Sequence, residues 1–585
     1  MKNFMKKSKD KEGSKKLVKE ESPKIQGIKF NILAVTAIII FCISLCPITM
    51  QNDTYYTIKI GEHIINTGEV DMHDPFSWHE NLPYTYPHWA YDVMIYLIYR
   101  VGGLIGIFIS TIVFACVLGV LMYFTNCKIS KNKFVSFLIT IGAMYLLKPY
   151  IAARAQLVTF ILLELTILFI EKFLETKHKR YGVGIILISI AIANLHCAVW
   201  PFFFVIFLPY IAEYLWFTLI DANIWYNLKS KMYDLKAKIY TKKMENAKIS
   251  EDKKKLYSEK INKIVIKKEE AQKNKAKSLE NREKRRENPY RIKYEKNTAV
   301  KWLILIMVIC AFTGLLTPLG DTPYTYLYKT MKGNTTQSIS EHLPLTLINN
   351  KDVLFVLVAI LAILIFTDTK IRLKDLFMMA GLALLMFMTR RQESMFVLFG
   401  SAILAKWITD LFSKYDKDGL KLIQNIMTST LGLTATLLLV ALIAVAEIKP
   451  KVNDKFINAS TYPVEAAEFI KENLNLNTIR LFNEYNYGSY LLYQDIPVFI
   501  DSRADLYAPE FNGKKGEDGK YEGKDIFSDY IKTSNISKYY ENTFNEYDIT
   551  HVILYKNSKL NMFLSRDDKY TELYSDDNFV IYERN

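Results

Sequence analysis

Apolar residues fall into eleven runs of 15 to 23 positions, at about 30–50, 103–125, 134–153, 155–171, 181–197, 199–220, 301–317, 353–367, 374–389, 393–409 and 427–446. Polar connectors separate them. A helix rises 1.5 Å per residue, so about 20 apolar residues cross the roughly 30 Å of bilayer hydrocarbon. The pattern predicts a polytopic α-helical membrane protein with about eleven transmembrane helices. Beyond the last run, residues 449–585 change character. A helix over Pro463–Asn473 and strand-type runs at Ile479–Phe482, Pro497–Ile500, His551–Tyr555 and Phe579–Tyr582 predict a small α/β domain.

Charge in the connectors orients the runs. Residues 1–29 hold ten lysines, and basic residues recur in alternate connectors: Lys128, Lys131 and Lys133; Lys172, Lys177, Lys179 and Arg180; Lys370, Arg372 and Lys374; Lys414, Lys417 and Lys421. The intervening connectors are poor in Lys and Arg, and the first carries Asp53, Glu62, Glu69, Asp71, Asp74 and Glu80. By the positive-inside rule the N-terminus is cytoplasmic, and an odd number of crossings places the C-terminal domain outside the membrane. The expected localisation is therefore the cell membrane, multi-pass. The first run ends in Pro47-Ile48-Thr49-Met50-Gln51 without a small-residue cleavage site, which reads as a retained anchor.

This organisation divides the chain into a basic tail (1–28), a first transmembrane bundle with an exported loop at 51–89 (29–220), an insertion (221–300), a second bundle (301–448) and the exported α/β domain (449–585). Of 585 residues, 50% are hydrophobic and 14% aromatic, with net charge +15. The insertion supplies most of that excess, with 24 Lys/Arg against 12 Asp/Glu, a net of +12. Leu228, Met232, Leu235 and Ile239 form one apolar seam, and Leu256, Ile261 and Val265 suggest a second helix. A solvated insertion or a helical hairpin that binds a cytoplasmic partner or anionic headgroups both fit. Recognised nucleic-acid motifs are absent, so no nucleic-acid partner is expected. All six cysteines lie in or beside the runs, and the exported domain has none, so disulfides do not staple it.

Candidate chemistry sits at the exported side. Asp53 follows the first run by about three residues, and Tyr55, Tyr56, Ile58, Ile60, Ile64 and Ile65 continue at near-helical spacing to Gly68, as in a short interfacial helix. Trp78, Tyr84, Tyr86, Trp89 and Tyr91 crowd the same loop and read mainly as an interfacial aromatic belt. Asp53 can cap the helix or act as a general base, and position alone leaves both open. Arg390-Arg391 and Arg154 are candidate phosphate ligands, since guanidinium forks match phosphate oxygens. Asp74, His88, Glu341 and His342 are candidate substrate contacts, and His196 lies on the same side. Asp501, Arg503 and Asp505 read as an internal Asp–Arg arrangement at a turn.

The stretch Asp53-Thr54-Tyr55-Tyr56, with Gly61, Gly68, Asp74-Pro75-Phe76-Ser77 and His88-Trp89, resembles the first exported loop of bacterial GT-C membrane glycosyltransferases. Asn194-Leu195-His196, Pro318-Leu319-Gly320, Ile339-Ser340-Glu341-His342-Leu343-Pro344 and Arg390-Arg391 extend the resemblance through the membrane part. Tyr487-Gly488-Ser489-Tyr490-Leu491 and Phe499-Ile500-Asp501-Ser502-Arg503-Ala504-Asp505-Leu506-Tyr507 extend it to the C-terminal domain. The resemblance implies transfer of a sugar from a polyprenyl-phosphate donor to an envelope glycan or protein acceptor, with Asp53 as catalytic base. Gln51 stands where some members of that superfamily carry a second aspartate. One carboxylate is poor ground for a divalent metal, so the expectation is no metal and no cofactor beyond the lipid-linked donor. The competing expectation is a non-catalytic envelope-assembly or glycan-binding protein of the same architecture. A transporter is disfavoured, because no run carries a line of ionisable residues.

Overall fold

The computed structural model describes residues 23–585 except 81, 222–223, 246–249, 288–290, 334, 336–338 and 517–520. The basic tail assigned to 1–28 thus lies almost wholly outside the described residues. The fold is predominantly helical, and each of the eleven apolar runs is mostly helix. The membrane part opens with α1 (Pro23–Leu45), α2 (Asn52–Thr67), α3 (Trp89–Ser130), α4 (Lys133–Leu146), α5 (Ala155–Thr176) and α6 (Lys179–Leu195). Further apolar helices follow at Leu208–Asp221, Val300–Thr313, Lys351–Phe366, Leu373–Met388, Glu393–Tyr415 and Thr430–Ile448.

Length separates these helices into two groups. Among the described residues five segments are long and apolar enough to cross a membrane: Gly27–Leu45, Trp89–Ser130, Cys197–Thr218, Arg390–Tyr415 and Thr430–Lys451. The pattern of runs predicted about eleven. Two of the others, α4 and Val300–Thr313, have only 14 residues, about 21 Å of helix. Segments 351–366 and 373–388 have 16 residues, and α6 has 17. Although α5 reaches 22 residues, it carries Glu164, Glu171, Lys172 and Glu175. The 134–153 and 301–317 runs continue past their helices into turn residues, and the other runs behind these helices have only 15 to 17 positions.

Connectors alternate between two ends of the bundle. At one end Lys133 Nζ donates to the Gly27 carbonyl at 2.8 Å, Asn297 to that of Leu174, and Lys374 pairs with Glu171. At the other, Arg154 meets Asp53 and Glu341, while the Tyr150 hydroxyl donates to the Arg390 carbonyl at 3.2 Å. The basic connectors share the first end, and the Lys/Arg-poor ones share the second.

The C-terminal domain carries a four-stranded sheet in the order Leu481–Phe482, His551–Tyr555, Phe579–Arg584, Tyr570–Ser575, with the first pair parallel and the others antiparallel. The Tyr570–Ser575 strand has no counterpart in the predicted set. Pro497–Ile500 forms no sheet strand; Val498 instead makes an isolated parallel bridge to Ser77 of the 68–88 loop. The helix predicted at 463–473 is present as Val464–Asn473.

That bridge belongs to a shared core. Tyr55 of α2 is buried among Tyr462, Tyr490 and Tyr493, Trp78 donates its indole N–H to the Leu481 carbonyl at 3.0 Å, and the His79 Nε2 lies 2.8 Å from the Phe499 carbonyl. Tyr86 and Tyr91 are also buried. Trp78, Tyr86, Trp89 and Tyr91 are therefore packed within the protein and do not form an interfacial belt. Likewise α2, predicted to lie on a membrane surface, buries Thr54–Ile58, Ile60, Gly61 and Ile64 against protein. Gly61 makes this contact achievable, since a Cβ there would sit 2.2 Å from the Asp92 carbonyl oxygen. Gly68 ends the helix in the left-handed region at φ 75°, its N–H donating to the Ile64 carbonyl.

Candidate functional site

The site is assembled where the Lys/Arg-poor connectors meet. Asp53 sits in the first turn of α2, but it does not cap it: the cap position is Gln51, and no side chain satisfies the helix start. The Asp53 carboxylate points instead to Arg154, with Oδ2 2.8 Å from Nη2. Arg154 stands just before α5, and its Nη1 donates to Glu341 Oε1 at 3.2 Å. One guanidinium thus joins two carboxylates from connectors 288 positions apart in sequence. The Asp53 charge is the main reason the Arg154 guanidinium is held above its ordinary value.

Glu341 forms part of the wall of a cavity of about 660 Å³. Its cationic lining is Lys148, Lys351, Arg390 and Arg391, and its acidic lining is Glu341, Asp352 and Glu393. Backbone links fix the walls: the Arg390 N–H donates to the Leu343 carbonyl at 2.8 Å, and the Tyr150 hydroxyl reaches Glu393 Oε2 at 3.4 Å. Arg390 is exposed and Arg391 half-buried. Among the described residues neither guanidinium has a hydrogen bond or ion pair of its own. Burial raises the Glu341 carboxyl, but the charges of Arg154 and Arg391 outweigh it and hold it below the ordinary value. Burial and the Arg391 charge together push His342 below the usual histidine value.

Behind Asp53 lies a buried relay. His88 Nδ1 is 2.7 Å from Asp92 Oδ1, and its Nε2 is 3.2 Å from the Tyr56 hydroxyl. Desolvation lowers the His88 imidazole, but the Asp92 carboxylate overrides it and raises the value above the ordinary one. The ring of His196 stands 6.3 Å away, with Nδ1 3.0 Å from the Thr159 hydroxyl. Burial, with Arg391 and His88 nearby, drives His196 well below its usual value. His88 is buried between Asp92 and Tyr56 and is not among the residues lining the cavity.

Asp74 does not belong to the site. Its Oδ1 accepts from Arg503 Nη1 at 2.6 Å, Arg503 also holds Asp501 at 2.6 Å, and Asp501 accepts from the Tyr507 hydroxyl at 2.6 Å. These side chains are at most 1% exposed in the two ion pairs. Asp74 is buried away from the cavity wall, with Oδ1 accepting from Arg503 and Oδ2 from the Ser77 N–H. The Asp501–Arg503 pair is internal, as their adjacency at a turn suggested. Asp505 receives the Tyr326 hydroxyl at 2.5 Å.

Of the eight predicted site residues, Glu341, Arg390 and Arg391 line the cavity. Arg154 connects Glu341 to Asp53, His342 adjoins them, and His88 stands behind. Asp53 itself is not on the cavity wall. Lys148, Lys351, Glu393 and Asp92 escaped the sequence reading, which named Tyr56 only as part of a helical stretch and motif. The Asp92 signal was available, since it lies four positions after His88 at a helix start. Among the described residues no three His, Cys, Asp or Glu side chains converge as a cation site. Compared with models of known protein families and with curated proteins, the sequence matches none.

Proposed function

We propose that this chain is a GT-C-like membrane glycosyltransferase that moves a sugar from a polyprenyl-phosphate donor to an envelope acceptor on the exported face. The observation that carries the reading is the cation-lined cavity, with the Arg391 guanidinium making no hydrogen bond or ion pair among the described residues. Guanidinium forks and ammonium groups at a membrane edge suit a lipid-borne phosphate. In this reading about eleven helices cross the membrane. The six shorter or more polar ones do so through tilt-free short paths, flanking residues and local thinning of the bilayer. The cavity end faces outward, and the C-terminal domain covers it.

Arg390, Arg391, Lys148 and Lys351 hold the donor phosphate, so the positive charge needed for departure comes from the chain. The acceptor hydroxyl loses its proton to Asp53 while its oxygen bonds to the anomeric carbon. The bond from that carbon to the phosphate oxygen breaks, and polyprenyl phosphate leaves on the cations. Asp53 is paired with Arg154 in this structure, and a paired carboxylate is a weak base. The reading therefore requires the donor phosphate to draw Arg154 away and release Asp53.

The test is turnover of a panel of polyprenyl-phosphate sugars by purified protein in nanodiscs. Wild type transfers at least one sugar, and Asp53→Asn slows it by roughly 10²–10⁴-fold, the usual contribution of a general base. Equal rates in both proteins remove Asp53 from the mechanism. One observation favours a second reading, a non-catalytic envelope-assembly or glycan-binding protein: Asp53 is engaged by Arg154 and lies off the cavity wall. That reading predicts glycan or lipid binding without turnover of any donor.

A further inference from the structure

The basic insertion folds as two helices, Ile224–Met244 and Glu251–Glu287, packed against each other. Three contacts define the face that the first helix turns to the second: Asp234 with Lys268, Asn227 with Lys275, and the Tyr240 ring 5.8 Å from that of Tyr257. Tyr226, Ser230, Tyr233, Ala237 and Tyr240 follow that face at helical spacing, and all are partly covered. The apolar seam read in the sequence does not lie there. Trp225, Leu228, Met232, Leu235 and Ile239 recur at 3-4-3-4 spacing on the opposite side, exposed by 66%, 55%, 44%, 63% and 46%. Among the described residues this is an exposed apolar stripe on the outside of a charged hairpin.

Two further features identify what covers it. At 100° per residue, Lys229, Lys236 and Lys243 run along one border of the stripe, and Lys231, Lys238 and Lys242 along the other. The helix also begins six residues after Thr218, the end of a membrane-crossing segment, at the bundle end where the basic connectors gather. An apolar stripe with a tryptophan, bordered on both sides by long basic side chains, matches the boundary between acyl chains and anionic headgroups. The net charge of +12 over residues 221–300 complements an anionic leaflet.

We infer that the outer face of the Ile224–Met244 helix is a docking surface for an anionic lipid bilayer, with the apolar stripe seated among acyl chains and the two lysine rows on headgroups. The surface lies at the end of the bundle remote from the cavity, and it stands whether or not the chain transfers sugars. The hairpin is then held along the leaflet, with its second helix on the aqueous side.

The test uses the full-length protein in nanodiscs, with an environment-sensitive fluorophore on Leu235→Cys and, separately, on Lys273→Cys in the second helix. Position 273 lies about one half-turn round from the face that meets the first helix. In nanodiscs containing phosphatidylglycerol, a quencher carried on the lipid acyl chain should reduce emission at 235 at least twofold more than at 273. The difference should fall in phosphatidylcholine nanodiscs or in 0.5 M salt. Equal quenching at the two positions overturns the docking surface. Equal quenching of position 235 in anionic and neutral lipid overturns the role of the lysine rows. Crosslinking of Leu235→Cys between two copies, with no lipid quenching, assigns the stripe to self-association and overturns the proposal.

Discussion

Replacing Arg503 with methionine should undock the 68–88 loop and unsettle the C-terminal domain together. The arginine holds Asp74 through Nη1 and Asp501 through Nε and Nη2, at 2.6, 2.9 and 2.6 Å. Methionine removes these bonds and leaves two carboxylates, each with a side chain 0% exposed, facing no cation. Breaking a buried ion pair from one side costs about 3–5 kcal/mol. That corresponds to roughly a hundred- to several-thousand-fold more of the open form. Pulse proteolysis in urea, on the purified full-length protein in detergent, measures this as a lower midpoint for cleavage of the loop. The triple variant Asp74→Asn, Asp501→Asn, Arg503→Met removes the orphan charges and should recover most of the loss. A change below about 1 kcal/mol in the single variant would show that water reaches these carboxylates, contrary to the buried account.

The same cluster sets a pH dependence. Burial raises the Asp74 carboxyl, but the Arg503 charge outweighs it and lowers the folded value below the ordinary one. Asp74 therefore contributes stability that is present above the usual carboxylate range and lost as pH falls through its lowered folded value, which acid titration of the proteolysis midpoint should reproduce and Asp74→Asn should abolish. His88 has the opposite sign: its folded value is raised, so its contribution is full below the ordinary histidine value and lost as pH climbs through the folded one. Thermal unfolding between pH 5.5 and 9 should show that loss in wild type and not in His88→Gln. For Gly61→Ala, a Cβ 2.2 Å from the Asp92 carbonyl oxygen and 2.6 Å from Tyr96 Cβ forces α2 off α3; overpacking of this kind costs about 1–3 kcal/mol or more, and the urea midpoint should fall accordingly.

Much of the architecture was legible in sequence because bilayer-scale apolar runs and alternating basic connectors are long-range signals that single residues do not erase. Each run is mostly helix, and Lys128, Lys133, Lys172 and Lys374 do gather away from Asp53 and Arg154. The count of crossings was not legible, because a run such as 134–153 continues through Lys148-Pro149-Tyr150, which the fold uses as a turn that supplies Lys148 to the cavity. Strand Tyr570–Ser575 was invisible for a related reason: it lies at the sheet edge with polar residues at Thr571, Glu572 and Ser575, and shows no apolar run. At the site, residue types were readable while partnerships were not. Arg154 and Glu341 were visible singly, yet nothing in their spacing shows that one guanidinium bridges Glu341 and Asp53. Asp74 reads in the sequence as a solvated loop acid, and only the fold shows the C-terminal domain bringing Arg503 against it. The Leu228–Ile239 seam misled similarly: its period announces a helix with an apolar face, but not which neighbour covers that face.

The most direct test of the cavity as a phosphate site is equilibrium binding of polyprenyl phosphate and of the uncharged polyprenol to purified protein, for wild type and for Arg391→Met. The account predicts that the phosphate binds at least tenfold tighter than the alcohol to wild type and that the preference is lost in Arg391→Met. Equal affinity for the two lipids in wild type, or a preference untouched by Arg391→Met, would contradict it.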